Sequence, residues 1–284
     1  MISSKEYQNR KKRNQFSIFI FILGICLVLF PIVSQISYFI ISHKQINEFE
    51  KEIGKINTSE IDRRIELANA YNGAIKNDGI GISDPYTNLQ QEGRTEYARM
   101  LQVHEQIGYV NIPSINTKIP IYAGSSDIVL QKGAGHLEGT SLPVGGSGTH
   151  TVITAHSGLP TAHHFTDLHK VKVGDVFFIR NIKEILAYKV NLIKVVEPTD
   201  LEEVAIEDKK DYATLLTCTP YMINSHRLLV RGERIPYMPE QEQQERGSIL
   251  KSSLIQLILI LLALLSFILI AVWIRKGKKC KRSV

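Results

Sequence analysis

The chain has 284 residues, a formal charge of +6, 44% hydrophobic residues and three cysteines. This is too much apolar content for a disordered chain, and the basic balance would suit a nucleic-acid binder if it were spread over the fold. It is not: residues 1–15 sum to +4, residues 275–284 to +6 and residues 42–253 to −4, so the foldable part is mildly acidic and a nucleic-acid partner is excluded.

Residues 1–15 form a basic tail with Lys5, Arg10, Lys11, Lys12 and Arg13 against Glu6. Residues 16–41 follow without a charge, and a bilayer core needs only ~20 apolar residues in a helix. The run is longer than the apolar part of a cleaved signal and no A-x-A-like site follows it, so it reads as an uncleaved transmembrane helix. A second charge-free run, 254–274, leads into the basic tail 275–284. Basic flanks at both ends place both termini in the cytoplasm and the middle of the chain outside the cell membrane, next to lipid.

Between the spans, residues 42–106 read as N-terminal helices and a loop. Ile46, Phe49, Ile53 and Ile56 recur at helical spacing, the stripe of a helix packed on a core. Ser59 and Asp62 fit a capping box for a second helix through Ile61, Ile65 and Ala68. The run "NDGIGISDPYTN" at 77–88 is a loop, and a helical signal resumes from Tyr97 to Gln106. Residues 107–238 change texture to short alternating runs at 107–112, 118–122, 149–156, 176–180, 185–196, 213–218 and 227–235. Seven or so such strands without regular helices between them predict a single closed or nearly closed β-barrel. A short helix is expected within 157–171, and 239–253 reads as a polar stalk.

Cys26 falls in the first span and Cys280 in the second tail, which leaves Cys218 alone in the outer domain. A lone thiol there is either buried and inert or used. It ends one strand-like run, and Arg227 begins the next after "TPYMINSH". A guanidinium beside the thiol would favour a thiolate or bind an oxyanion on a scissile carbonyl. A proton carrier is still needed, and His156 sits at the tip of another run, "HTVITAH". His226 is a rival, while the adjacent pair His163 and His164 reads as solvated surface. Zinc held by Cys218, His156 and His226 would need ligand spacing that is not present, and there is no CxxC or HExxH. Neither a metal nor a cofactor is expected.

The runs "TLLTCTPYMINSHRLLVRGER" and "TVITAHSGLP" closely resemble the sortases, membrane-anchored cysteine transpeptidases of Gram-positive bacteria. The resemblance implies a mainly β fold: an eight-stranded sortase barrel with N-terminal helices and a lid loop, flanked by two transmembrane helices. It implies Cys218 as nucleophile, His156 as general acid and base, and Arg227 as stabiliser of the substrate oxyanion, with His226 and Arg231 as framework residues. The two spans and the "SDPYTN" segment resemble the pilus-assembling class C branch. There a lid, about 77–92 here, would bring Asp84 towards Arg227 and lay Tyr86 over Cys218, although the commoner aromatic at that place is Trp or Phe.

The implied partners are pilin or surface-protein substrates with LPxTG-like C-terminal signals, and an amine acceptor on a pilin lysine or a cell-wall peptide. Two other readings remain: a housekeeping sortase that attaches surface proteins to cell-wall peptide, and a non-enzymatic, membrane-tethered binding barrel with a buried cysteine.

Overall fold

A computed structural model of the chain describes residues 4–78, 98–200 and 202–239. Its strands are β1 (Gln106–Ile112), β2 (Thr117–Ala123), β3 (Ala134–His136), β4 (Thr149–Thr154), β5 (Val176–Arg180), β6 (Ile185–Val196), β7 (Asp211–Thr219) and β8 (His226–Ile235). They close into a barrel in the order β1-β2-β3-β4-β7-β8-β6-β5, which leaves no open sheet edge. The seven expected runs are all strands. The addition is β3, whose Ala-Gly-His has no alternation to betray it; it is held parallel to β2 and antiparallel to β4.

Two of the pairings are parallel, β2 with β3 and β4 with β7. The second matters most for the site. It runs without a bulge from Thr149↔Asp211 to Thr154↔Leu216, and β8 lies antiparallel on the other side of β7 from Tyr212↔Glu233 to Thr219↔His226. Alternation along these strands sends Ile153, Ala213, Leu215, Leu228 and Val230 into the main core. Val152, Leu216 and Leu229 face the other way and form a second apolar layer with Leu137, Val196 and Val204. Close approach between strands also fixes one glycine: a Cβ at Gly108 would collide with the Arg180 carbonyl oxygen.

Helix α1 (Ser4–Ile53) is one continuous helix of 50 residues, so the expected anchor and the first packed helix are a single rod. Its Ile46, Phe49 and Ile53 are buried on the barrel, as the stripe required. Glu50 adds polar fixings, pairing with Arg180 at 3.1 Å and accepting from Tyr109 Oη at 2.9 Å. Helix α2 is Thr58–Asp78. Its cap is Asn57 rather than Ser59: Asn57 Oδ1 accepts from the Ser59 amide at 3.1 Å, satisfying one of the open amides of the first turn. Further along α2, the buried Asn72 grips Leu142 by both backbone groups, at 3.2 and 2.7 Å. Residues 98–101 make only a short 3-10 turn, and the chain then bends at His104, whose φ is +57°, instead of staying helical to Gln106. A short helix α3 (Asp127–Lys132) was not expected. The short helix expected within 157–171 is the 3-10 turn Leu168–Lys170.

The charge-free segment 16–41 lies within α1, and Phe19, Leu27 and Ile40 there are more than 60% exposed. Some side chains of that segment lie outside the description. Among the described residues no helix is long and apolar enough to cross a membrane. The second charge-free run, the stalk from residue 240 and the expected lid with Asp84 and Tyr86 all lie outside the described residues.

Candidate active site

Cys218 is buried near the end of β7, and its cross-strand partner on β8 is Arg227, also buried. Directly opposed residues of an antiparallel pair share a face, with Cβ atoms ~4.5–5.5 Å apart. The parallel pairing of β4 with β7 brings in the third residue. Thr154 is level with Leu216, and the ladder continues past the end of β4: the Ala155 amide donates to Leu216 O at 3.2 Å, and Thr217 Oγ1 donates to Ala155 O at 2.7 Å. Two residues beyond each member of the Thr154↔Leu216 pair stand His156 and Cys218. Register therefore sets His156, Cys218 and Arg227 abreast on the outer face of three adjacent strands.

His156 and Arg227 are each fixed locally. After His156 the chain folds back, so that the Phe165 amide donates to His156 O at 3.1 Å and the Gly158 amide to Thr166 Oγ1, also at 3.1 Å. Gly158 has φ +85°, and a Cβ there would come within 2.9 Å of the Tyr221 ring, so glycine serves both the turn and the close approach. Arg227 Nη1 donates to the carbonyls of Asn224 and His226, each at 3.1 Å. The turn between β7 and β8 bends at Met222 and Asn224, both with positive φ. A cleft of about 280 Å³ opens at this point, lined by Ser157, Phe165, Thr166, Cys218 and Tyr221 among others. His156 and Arg227 are not among the residues that line it. Cys218 forms no disulfide.

Burial lowers the pKa of His156, partly offset by the Asp127 carboxylate. Burial of this kind favours the neutral imidazole over the charged one. The rival His226 is set apart by alternation, opposite Thr219 on the other face. Its Nε2 lies 3.2 Å from Glu197 and its Nδ1 2.8 Å from Ser225 Oγ. Arg231 packs its guanidinium over the Tyr212 ring at 4.4 Å and pairs with Glu207 at 3.4 Å.

The reading of His163 and His164 as a solvated pair needs correction. His163 is exposed and pairs with Asp167 at 3.2 Å, but His164 is buried, its ring edge-on to Tyr38 of α1 at 4.8 Å. Burial, with repulsion from His156 and His163, brings its pKa down to about 4. The contact joins residues far apart in the chain, so no local pattern could announce it. His150 was also passed over. It is buried on the same outer face as His156, between Ala205 O at 2.9 Å and Thr214 Oγ1 at 2.8 Å.

The family described as Sortase domain matches residues 110–235. Sortase A of Bacillus anthracis is 28% identical over 135 residues, covering 48% of this chain and 62% of its own length. The chain thus spans less than two thirds of that curated relative. Among solved structures, sortase C-1 from Streptococcus pneumoniae is 55% identical with a TM-score of 0.66, over 69% of this chain and 100% of its own. The Group B Streptococcus Pilus Island 1 sortase C2 is 64% identical with a TM-score of 0.59, over 64% of this chain and 100% of its own.

Proposed function

Since this chain belongs to the sortase family, whose members are cysteine transpeptidases, we propose that it is a pilus-type sortase acting on an LPxTG-like sorting signal. The single observation that supports this chemistry best is the alignment of His156, Cys218 and Arg227 across β4, β7 and β8. The Cys218 thiol gives its proton to neutral His156, and the thiolate sulfur attacks the carbonyl carbon of the Thr–Gly bond. The electron pair pushed onto the carbonyl oxygen is met by the Arg227 guanidinium. Collapse expels the glycine amine, which takes the proton from His156, and leaves a thioester on Cys218. An incoming lysine amine then attacks the thioester, His156 accepts its proton, and an isopeptide bond forms as the thiolate departs.

Class C assignment is supported by the 55–64% identity to structures named sortase C, against 28% to a sortase A. The "SDPYTN" resemblance supports residues 77–92 as a cover for the thiol, with Asp84 directed at Arg227 and Tyr86 at Cys218. The charge-free runs 16–41 and 254–274 and their basic flanks support two membrane spans with both termini inside. The exposed apolar side chains of α1 agree with the first span, because a contiguous exposed apolar surface needs lipid or protein to cover it.

A second reading, attachment to cell-wall peptide, is favoured by the sortase A similarity. The two are separated by offering the full chain an LPxTG peptide with a pilin lysine amine and a cell-wall stem peptide in competition. The pilus reading predicts that the lysine product dominates; a predominance of stem-peptide product would replace it with the housekeeping reading.

A further inference from the structure

The connection between β6 and β7, described at residues 197–200 and 202–210, leaves the barrel beside the proposed catalytic residues, because Val196 is paired with Arg227. It then returns over the outer face of β4, β7 and β8. That face is layered. His150 and Tyr212 lie furthest from the thiol, Val152, Thr214 and Arg231 come next, and Thr154, Leu216 and Leu229 follow them. One step of alternation further along β7 and β8 stand Cys218 and Arg227. The connection seats Val204 in the apolar layer. Its edge therefore forms a wall beside any extended peptide whose scissile bond is presented to Cys218.

Three kinds of contact hold that wall. The ionic ones are at the surface: Lys194 to Glu203 at 2.8 Å, and Arg231 to Glu203 and Glu207 at 3.6 and 3.4 Å. Exposed pairs of this kind contribute little and are screened by salt. The apolar contact of Val204 has no direction. His150 supplies a buried, directional contact. Ala205 O can only accept, so Nδ1 carries the proton and donates to it at 2.9 Å; Nε2 is then the acceptor for Thr214 Oγ1–H at 2.8 Å. One tautomer satisfies both partners, and the ring also packs at 61° against Tyr212, 5.5 Å away.

We propose that His150, oriented by Thr214, is a positioning residue for peptide binding: it fixes the 197–210 wall at the height that the sorting signal requires, without taking part in the chemistry. The inference rests on the acyl-transfer reading above and concerns the same site. It makes a prediction that a merely structural residue would not, because the effect falls on KM and depends on the δ-nitrogen of the side chain.

The test compares the full chain with His150→Phe, His150→Asn and Thr214→Val. Phenylalanine keeps the ring and loses both nitrogens. Asparagine places an amide N–H where Nδ1 stood. His150→Phe should raise the KM for an LPxTG peptide about three- to tenfold, the worth of one buried neutral hydrogen bond, with kcat changed less than about twofold by the same reasoning. Alkylation of Cys218 by iodoacetamide should keep its wild-type rate, and His150→Asn should recover most of the loss in KM. An unchanged KM in a folded His150→Phe protein overturns the proposal. So does a fall in alkylation rate that parallels the rise in KM, or an asparagine variant no better than phenylalanine. If His150→Phe does not fold, Thr214→Val takes its place, with the same rise in KM expected and an unchanged KM counting against the tether. Should the wild-type chain itself form no thioacyl adduct, the acyl-transfer reading fails and this inference falls with it; an adduct with an unmoved KM defeats only the role of His150.

Discussion

Strand β7 turns Ala213, Leu215 and Thr217 inward and Tyr212, Thr214, Leu216 and Cys218 outward, and β4 and β8 follow it residue by residue. The inner set meets the rest of the barrel and is almost wholly apolar. The outer set meets Leu137, Val196 and the connection between β6 and β7, and there the polar groups stand: His150, Thr214, Cys218 and Arg227, all buried. The comparison teaches where a β-barrel can hold reactive groups. Inside, each polar atom would need a partner among closed ladders. On a face covered by a loop, backbone carbonyls such as those of Ala205 and Asn224 are available as partners.

If the outer face carries the chemistry, its substitutions should reduce activity far more than stability, and inner-face substitutions should do the reverse. Arg227→Ala is expected to lower kcat/KM by roughly 10²–10³ while leaving a folded barrel, in line with the loss of an oxyanion donor; steady-state kinetics with circular dichroism on the same sample checks both halves. Leu215→Ala, on the inner face and fully buried, should cost about 2–5 kcal/mol of stability. Its turnover per folded molecule should stay near wild type at a temperature where both proteins are folded.

Acid acts on a further group of buried side chains. His136, His150 and His164 are each brought down to about 4 by burial, from 6.5 for the free side chain. The unfolded chain therefore binds more protons than the native one between those values, so their contribution is complete above pH 6.5 and is lost as pH falls towards 4. Denaturant titrations should show stability falling between about pH 7 and pH 5 by on the order of 1–2 kcal/mol per histidine. His164→Phe, which keeps an aromatic ring beside Tyr38, should flatten that slope. The smallest effect is expected next to the largest in sequence. His226→Gln should change kcat/KM less than about threefold, because His226 lies opposite Thr219 and its partner is the exposed Glu197; a loss comparable with that of Arg227→Ala would put the proton carrier on the wrong histidine.

Much of this division can be read from the chain. Alternation in "HRLLVRG" already sets Arg227, Leu229 and Arg231 on one face, and the Ile46, Phe49, Ile53 stripe already marks the packed side of α1. What could not be read depends on contacts between distant segments. β3 exists because β2 and β4 hold three residues of no particular strand character. His164 is buried because Tyr38, more than a hundred residues earlier, lies across it. His150 looks like any strand histidine until Ala205 O is found against its ring. The cap of α2 falls two residues before Ser59 because Asn57, Thr58 and Ser59 are all capable N-caps and only the turn geometry chooses among them. His156 and Cys218 were legible as strand tips, but their being abreast follows from the parallel pairing of β4 with β7, which crosses over two intervening strands.

The central claim is that Cys218 on the outer face forms a covalent acyl intermediate. The most direct test is intact-protein mass spectrometry of the full chain incubated with an LPxTG peptide and no acceptor amine, run beside Cys218→Ala and a variant carrying Asp84→Ala and Tyr86→Ala. A mass increase equal to the peptide through its threonine, mapped to Cys218, reversed by hydroxylamine and absent from Cys218→Ala, is the predicted result. No adduct in either the wild-type chain or the Asp84 and Tyr86 variant, or an equal adduct on Cys218→Ala, would contradict it.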